Sequence, residues 1–150
     1  MNQTENRART SAENTLEIIK DLYAVDMFLN GSLLGKELTK NQKHLLVKDF
    51  GYDGTNIDSI EYTVREYAES MSLSVQVRSS WETPGSELEP YEYNIELSWG
   101  GPALRIVGTL TRYTEPRDAH LEYQDWYTPW ETYDVNSDAL MWFASCFNFG

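Results

Sequence analysis

Asp118, Glu122 and Asp125 fall within eight residues of one another, beside Trp126, Tyr127 and Trp130. Paired carboxyl groups cleave glycosidic bonds when one protonates the leaving oxygen and the other serves the opposite face of the sugar. Aromatic rings add a surface on which a sugar can stack. The grouping therefore offers a small carboxylate-dependent hydrolase. Acids and aromatics are abundant throughout this chain, however, and composition alone brings such residues together.

Other chemistry has less to work with. Nucleophilic catalysis needs a nucleophile, a base and a group that orients the base. The histidines are only His44 and His120, and the one cysteine is Cys146. Cys146 sits in the apolar run from Met141 to Phe149, a setting that raises a thiol's pKa and leaves it inert. No Gly-x-Ser-x-Gly elbow is present. The two histidines have no paired ligand spacing, and no His-Glu-x-x-His occurs. Gly100-Gly101-Pro102 lacks the lysine and the following helix of a phosphate loop. These residues predict no cofactor, no bound metal and, as the leading reading, no enzymatic activity.

The lone cysteine excludes an intramolecular disulfide and fits a reducing cytoplasm. Met1 to Arg9 carries no apolar core, so no secretory signal is expected. No apolar run approaches the roughly 20 residues that cross a bilayer, and no membrane partner is expected. A chain of 150 residues with 41% hydrophobic content and twenty aromatic side chains is long and apolar enough to bury about two thirds of its unfolded surface.

The formal net charge is −12, and it is unevenly placed. Met1 to Phe50 holds seven Lys/Arg and seven Asp/Glu, whereas Gly51 to Gly150 holds five Arg, no Lys and seventeen Asp/Glu. Seventeen of the twenty aromatics fall in that second segment too. Binding to a nucleic-acid backbone depends on Lys and Arg displacing counterions, so direct contact with nucleic acid is disfavoured.

The elements that must position these groups follow from periodicity. The first ten residues are expected to be flexible, and a helix is expected from Ser11, with Leu16, Ile19, Leu22 and Tyr23 at helical spacing and a stop at Asn30-Gly31. A short helix follows Thr39 and ends by Gly51. Ile57, Ile60, Val64, Tyr67, Ala68 and Met71 predict a third helix, with Asp58, Glu61, Arg65, Glu66 and Glu69 on its solvated side.

After Ser72 the period changes to two. Leu73, Val75 and Val77 alternate with polar residues, a turn containing Pro84 and Gly85 follows, and Tyr91 to Trp99 forms a full strand. Leu104, Ile106 and Leu110 continue on a third strand, and Ala119, Leu121 and Tyr123 begin a fourth. Ser137 to Phe147 reads as a closing helix. The expected architecture is α+β: a four-stranded antiparallel meander with N-terminal helices and a C-terminal helix over one face, forming a single domain over residues 11–150.

Tyr123 to Trp130 packs two tryptophans and two tyrosines into eight residues. Their rings either fold against the sheet edge or anchor an interface, where Trp and Tyr are the usual hot spots.

Gly100-Gly101-Pro102-Ala103 with Arg105-Ile106 and Gly108, followed by Leu121-Glu122-Tyr123-Gln124-Asp125-Trp126 and Thr128-Pro129-Trp130, resembles a family of small proteins of phages, prophages and plasmids. The likeness covers roughly Arg65 to Gly150. It departs from that pattern at Tyr127, where a glycine is expected. The family carries no enzymatic activity to transfer. The resemblance implies a bacterial host cytoplasm and a setting in which small acidic proteins inhibit host defences, as anti-CRISPR and anti-restriction proteins do, several of them by imitating DNA.

The leading expectation is therefore an inhibitor that binds the basic, nucleic-acid-binding surface of a host defence complex. Alternate residues on a strand lie about 6.6 Å apart, near two steps of the 3.4 Å per-strand charge spacing of duplex DNA. Glu92, Glu96 and Glu122 would line the sheet face, Asp58, Glu61, Glu66 and Glu69 would extend it, and Asp125, Trp126, Tyr127 and Trp130 would complete the contact. Arg78 and Arg105 share that face and would neutralise part of it. The alternatives are the hydrolase and a phage accessory or structural protein that self-associates; oligomeric state is left open.

Overall fold

The computed structural model describes residues 3–31, 38–54, 63–99, 102–126 and 128–150, with side chains from residue 7 onward. Helix α1 runs from Gln3 to Leu29, 27 residues or about 40 Å. The expected start at Ser11 is thus corrected, and residues 3–10, expected to be flexible, are helical. Ala8 and Ala12 are fully buried and continue the stripe of Leu16 and Ile19 toward the N-terminus. Two methyl groups carry little hydrophobic signal, yet they let the helix lie close to Leu104 and Tyr123 of the sheet.

Helix α2, Lys40–His44, begins where expected. Thr39 Oγ1 accepts from the Gln42 amide at 3.1 Å while Gln42 Oε1 accepts from the Thr39 amide at 3.0 Å, a reciprocal capping box. The chain continues into a π-helical turn, Leu45–Asp49, and stops at Gly51 with φ +73°. Helix α3 spans Val64–Ser70, capped by Thr63 Oγ1 on the Glu66 amide. The expected continuous helix from Ile57 to Met71 is corrected here, because Thr63 is extended (ψ 150°) and starts the helix; within it Val64 and Ala68 face inward and Glu66 and Glu69 outward. Ile57, Ile60, Asp58 and Glu61 lie outside the described residues.

The sheet has five strands where four were expected: β1 Ser74–Arg78, β2 Glu92–Ser98, β3 Ala103–Thr109, β4 His120–Gln124 and β5 Glu131–Val135. They are ordered β1-β2-β3-β4-β5, each antiparallel to the next. The fifth strand, Glu-Thr-Tyr-Asp-Val, is an edge with only Tyr133 and Asp134 half-buried. An edge covered so little shows no apolar alternation to read. Helix α4, Asp138–Ser145, follows, with Ser137 as its N-cap.

Helices α1 and α4 pack on one side of the sheet. Ile95, Ile106, Leu121, Leu140 and Phe143 meet there with no exposed surface, each such side chain contributing about 1.5–3 kcal/mol. A second cluster, Leu22, Val25, Leu46, Phe50 and Val64, binds the helices to one another. Trp142 Nε1 donates to Asp26 Oδ2 at 2.8 Å, joining α4 to α1. The Arg65 guanidinium donates to the Ser145 carbonyl at 2.7 Å, a cation at the helix end that favours one.

The helical cover stops short of β1. Leu73, Val75 and Val77, expected on the covered face, are 51%, 39% and 45% exposed. Val75 and Val77 pair with the buried Ile95 and Tyr93 and so face the helix side, but β1 is an edge strand.

The link between β3 and β4 is closed by a tight knot. Tyr93 Oη donates to the Asp118 carbonyl at 2.6 Å, and Asp118 Oδ1 accepts from the Thr109 amide at 2.6 Å. Gly108 lies beneath them: a Cβ there would run into the Asp118 carbonyl and stand 2.8 Å from both Asp118 Oδ1 and Tyr93 Cε1. Asn136, in left-handed backbone at φ +55°, completes the knot from the start of α4. Its amide donates to the Ala119 carbonyl at 2.9 Å and its Oδ1 accepts from the Ala119 amide at 2.8 Å.

Candidate binding face

The period of two that buries one set of side chains places the other on the sheet's outer side. Strand register arranges these residues in rows. Glu96, Arg105 and Glu122 are aligned across β2, β3 and β4, so a cation stands between two carboxylates. Gln76, Asn94, Val107 and His120 form the next row, and Arg78, Glu92 and Thr109 the third.

Two open hollows occupy this side. The larger, about 810 Å³, is floored by Asn94, Arg105, Val107 and His120 and edged by Arg78, Glu92 and Asp118. The smaller, about 330 Å³, is bordered by Trp99, Trp126 and Trp130 and by Glu96, Arg105 and Asp125. Arg105 and Asn94 belong to both.

Arg105 is the best-held side chain on the face. Its Nε donates to Glu122 Oε1 at 2.7 Å, and its guanidinium carbon lies 3.9 Å from the centre of the Trp130 ring. The pair is well shielded, with 28% and 17% of the two side chains exposed. Trp130 thus adds a cation–π contact to the ion pair. Arg78 pairs with Glu92 at the other end, in full solvent on the arginine side; that hydrogen bond, then the carboxylate's charge, raises the Arg78 pKa. Glu96 accepts from Trp99 Nε1 and from Asn94 Nδ2.

The expected row Glu92, Glu96 and Glu122 is therefore assembled on one face, but each member is already engaged, two of them by guanidinium groups. Glu66 and Glu69 are exposed on α3, while Asp58, Glu61 and Tyr127 lie outside the described residues. Asp125 is not an outward group: it is 7% exposed. The turn after β4 folds back on itself, the Asp125 amide donating to Thr128 Oγ1 at 3.1 Å and Gln124 Nε2 to the Thr128 carbonyl at 2.8 Å.

That turn divides the aromatic stretch. Tyr123 is buried, with Oη donating to Glu131 Oε2 at 2.7 Å, and Trp130 stacks on Arg105. Trp126 stays 63% exposed and lines the smaller hollow, as does Trp99, itself 64% exposed. Trp99 was read from sequence only as a strand residue. It directly follows β2, where a register shift between Glu96 and Ser98 interrupts the alternation, and it lies exposed in the lining of the smaller hollow.

The three acids that suggested hydrolysis are split. Asp118 and Glu122 border the larger hollow and Asp125 the smaller. Asp118 is committed to Thr109 and lies 3.9 Å from His120 Nε2, and Glu122 is committed to Arg105. Among the described residues no group of three or more His, Cys, Asp or Glu could hold a metal ion, and no helix is long and apolar enough to cross a membrane. Cys146 is buried, and burial pushes its thiol up to about 12.

No protein-family model matches this chain, and no curated protein or solved structure matches it significantly.

Proposed function

We propose that this protein acts by binding, as an inhibitor that occupies the basic, nucleic-acid-binding surface of a host defence complex such as a CRISPR effector or a restriction nuclease. The observation that carries the reading is the bare outer side of the sheet, an open, mixed-charge trough continuous with a hollow edged by exposed tryptophans. An antiparallel sheet commonly leaves one face in water; here that face carries Arg105 and is edged by the exposed Trp99 and Trp126, and Trp and Arg are residue types enriched at protein interfaces.

Charge gives the partner its sign. Beyond Phe50 five arginines face seventeen acids, and Arg65, Arg78 and Arg105 are already engaged within the fold. The surplus stays negative and favours encounter with a cationic surface. Glu92 and Glu122 each already face a guanidinium, so the form of the reading we favour is occupation of the surface by a shaped acidic face, with imitation of phosphate spacing as the lesser element.

The test is DNA binding and cleavage by purified defence nucleases in the presence of this protein at low and high salt. Inhibition that fades as salt rises, and that is lost when Glu96→Lys is combined with Trp126→Ala, is the expected result. Inhibition indifferent to salt and to that double substitution overturns the reading.

A further inference from the structure

The connection between β1 and β2 borders neither hollow of the outer face. Every residue from Ser80 to Glu89 is exposed. Trp81 has its entire surface in water, and Leu88 is 67% exposed. Apolar side chains exposed singly are ordinary; here two large ones flank a single turn.

The segment has a defined shape. The Ser86 amide donates to the Thr83 carbonyl at 3.0 Å across Pro84 and Gly85, and Gly85 takes φ +89°. This is a type II turn, with proline and glycine in the positions that need them. Ser80 Oγ donates to Glu82 Oε1 at 3.0 Å on the approach to it. Trp81 and Leu88 stand two residues to either side of the turn, with Glu82, Glu87 and Glu89 beside them and no Lys or Arg between Ser79 and Tyr91. The exposed apolar residues Val75 and Val77 lead into it along β1.

We propose that this loop is a docking anchor: Trp81 and Leu88 enter an apolar pocket on a partner protein whose rim is lined by Lys and Arg. The formed turn limits the backbone freedom lost on insertion, and tryptophan is among the residues most enriched at binding hot spots. Three carboxylates around them call for cations on the opposing rim. A second copy of this chain is the poorer match in charge, because each copy carries −12 and two copies repel. The inference rests on the reading of the protein as a ligand of basic surfaces, and adds the grip.

The experiment uses the full chain and a fluorescent amphipathic peptide of Leu and Lys as probe, with a Leu and Glu peptide as its control, at low and high salt. Trp81→Ala with Leu88→Ala weakens binding of the Leu/Lys peptide at least about tenfold while the melting curve is unchanged, since neither side chain is packed in the fold. Glu82→Gln, Glu87→Gln and Glu89→Gln together flatten the salt dependence. Undiminished binding by the Trp81/Leu88 variant, equal binding of the Leu/Glu peptide, or a dimer that Trp81→Ala dissolves overturns the anchor. Loss of binding through Glu96→Lys with Trp126→Ala alone also overturns it while leaving the proposed function standing. Loss through the loop variant alone retains the anchor and removes the sheet face from the contact.

Discussion

The two sides of one sheet are built on opposite terms. Toward α1 and α4, Ile95, Ile106 and Leu121 have no exposed surface and meet Leu140 and Phe143 without room for anything else. On the other side, Glu96, Arg105 and Glu122 are half-exposed, Arg105 tied to Glu122 and Glu96 to Trp99, and open hollows border them. The same three strands supply both. Stability is concentrated on the covered side and the proposed recognition on the bare one, so substitutions should separate the two properties cleanly.

The hardest strain on that separation is Phe143→Ala. It opens a cavity under the sheet centre and should cost about 3–5 kcal/mol, read as a large drop in urea midpoint with unchanged partner affinity for the molecules that remain folded. Gly108→Ala tests whether the knot at the sheet's end belongs to the stable side. Its new methyl meets Asp118 and Tyr93, and a loss of about 1–3 kcal/mol in chemical denaturation is expected. A loss near zero would mean the knot yields.

Glu122→Ala sharpens the comparison from the bare side. It strands the shielded Arg105 charge against Trp130 and should destabilise by about 1 kcal/mol, between the values of exposed and buried pairs. Replacing Arg105 by Met in the same chain should recover part of it. Breaking the solvated Arg78–Glu92 pair should leave thermal melting unmoved.

Alkaline pH probes the covered side without mutation. Below pH 9.0 the Cys146 thiol is neutral whether the chain is folded or not. Above it the unfolded chain releases the proton while burial holds it in the folded one up to about 12. Stability therefore falls as pH rises across that window. Tyr93, raised chiefly by burial and further by the Asp118 charge, adds to the decline. Cys146→Ala should flatten the thermal-melting profile there. A similarly small effect is expected from Trp126→Ala, within about 0.5 kcal/mol, since that residue is 63% exposed.

Much of the covered side was readable in advance because burial imposes a period. Tyr93, Ile95 and Leu97 alternate along β2, and Leu140, Phe143 and Ala144 recur along α4. What escaped was marked by weak or non-local signals. Ala8 and Ala12 continue the α1 stripe at a spacing of four, which could have moved the helix start had small residues been weighed. β5 offers no such pattern, with three of its five residues exposed. The polar side imposes no period of its own. Glu92, Glu96 and Glu122 could be placed on it by parity, but their partners depend on which strands are neighbours. Asp125 turns inward only because the chain closes on Thr128. Trp81 gave no signal at all, since nothing local separates a tryptophan bound for the core from one left outside.

α1 threads each of the three buried clusters in turn, through Ala8 and Ala12, then Leu16 and Ile19, then Leu22 and Val25. A single rod fastened in three chambers cannot be withdrawn from one and left seated in the others without bending. The middle of that rod should therefore surrender its amide hydrogens only in whole-molecule excursions, and the slowest-exchanging amides should mark α1 beside the sheet's centre.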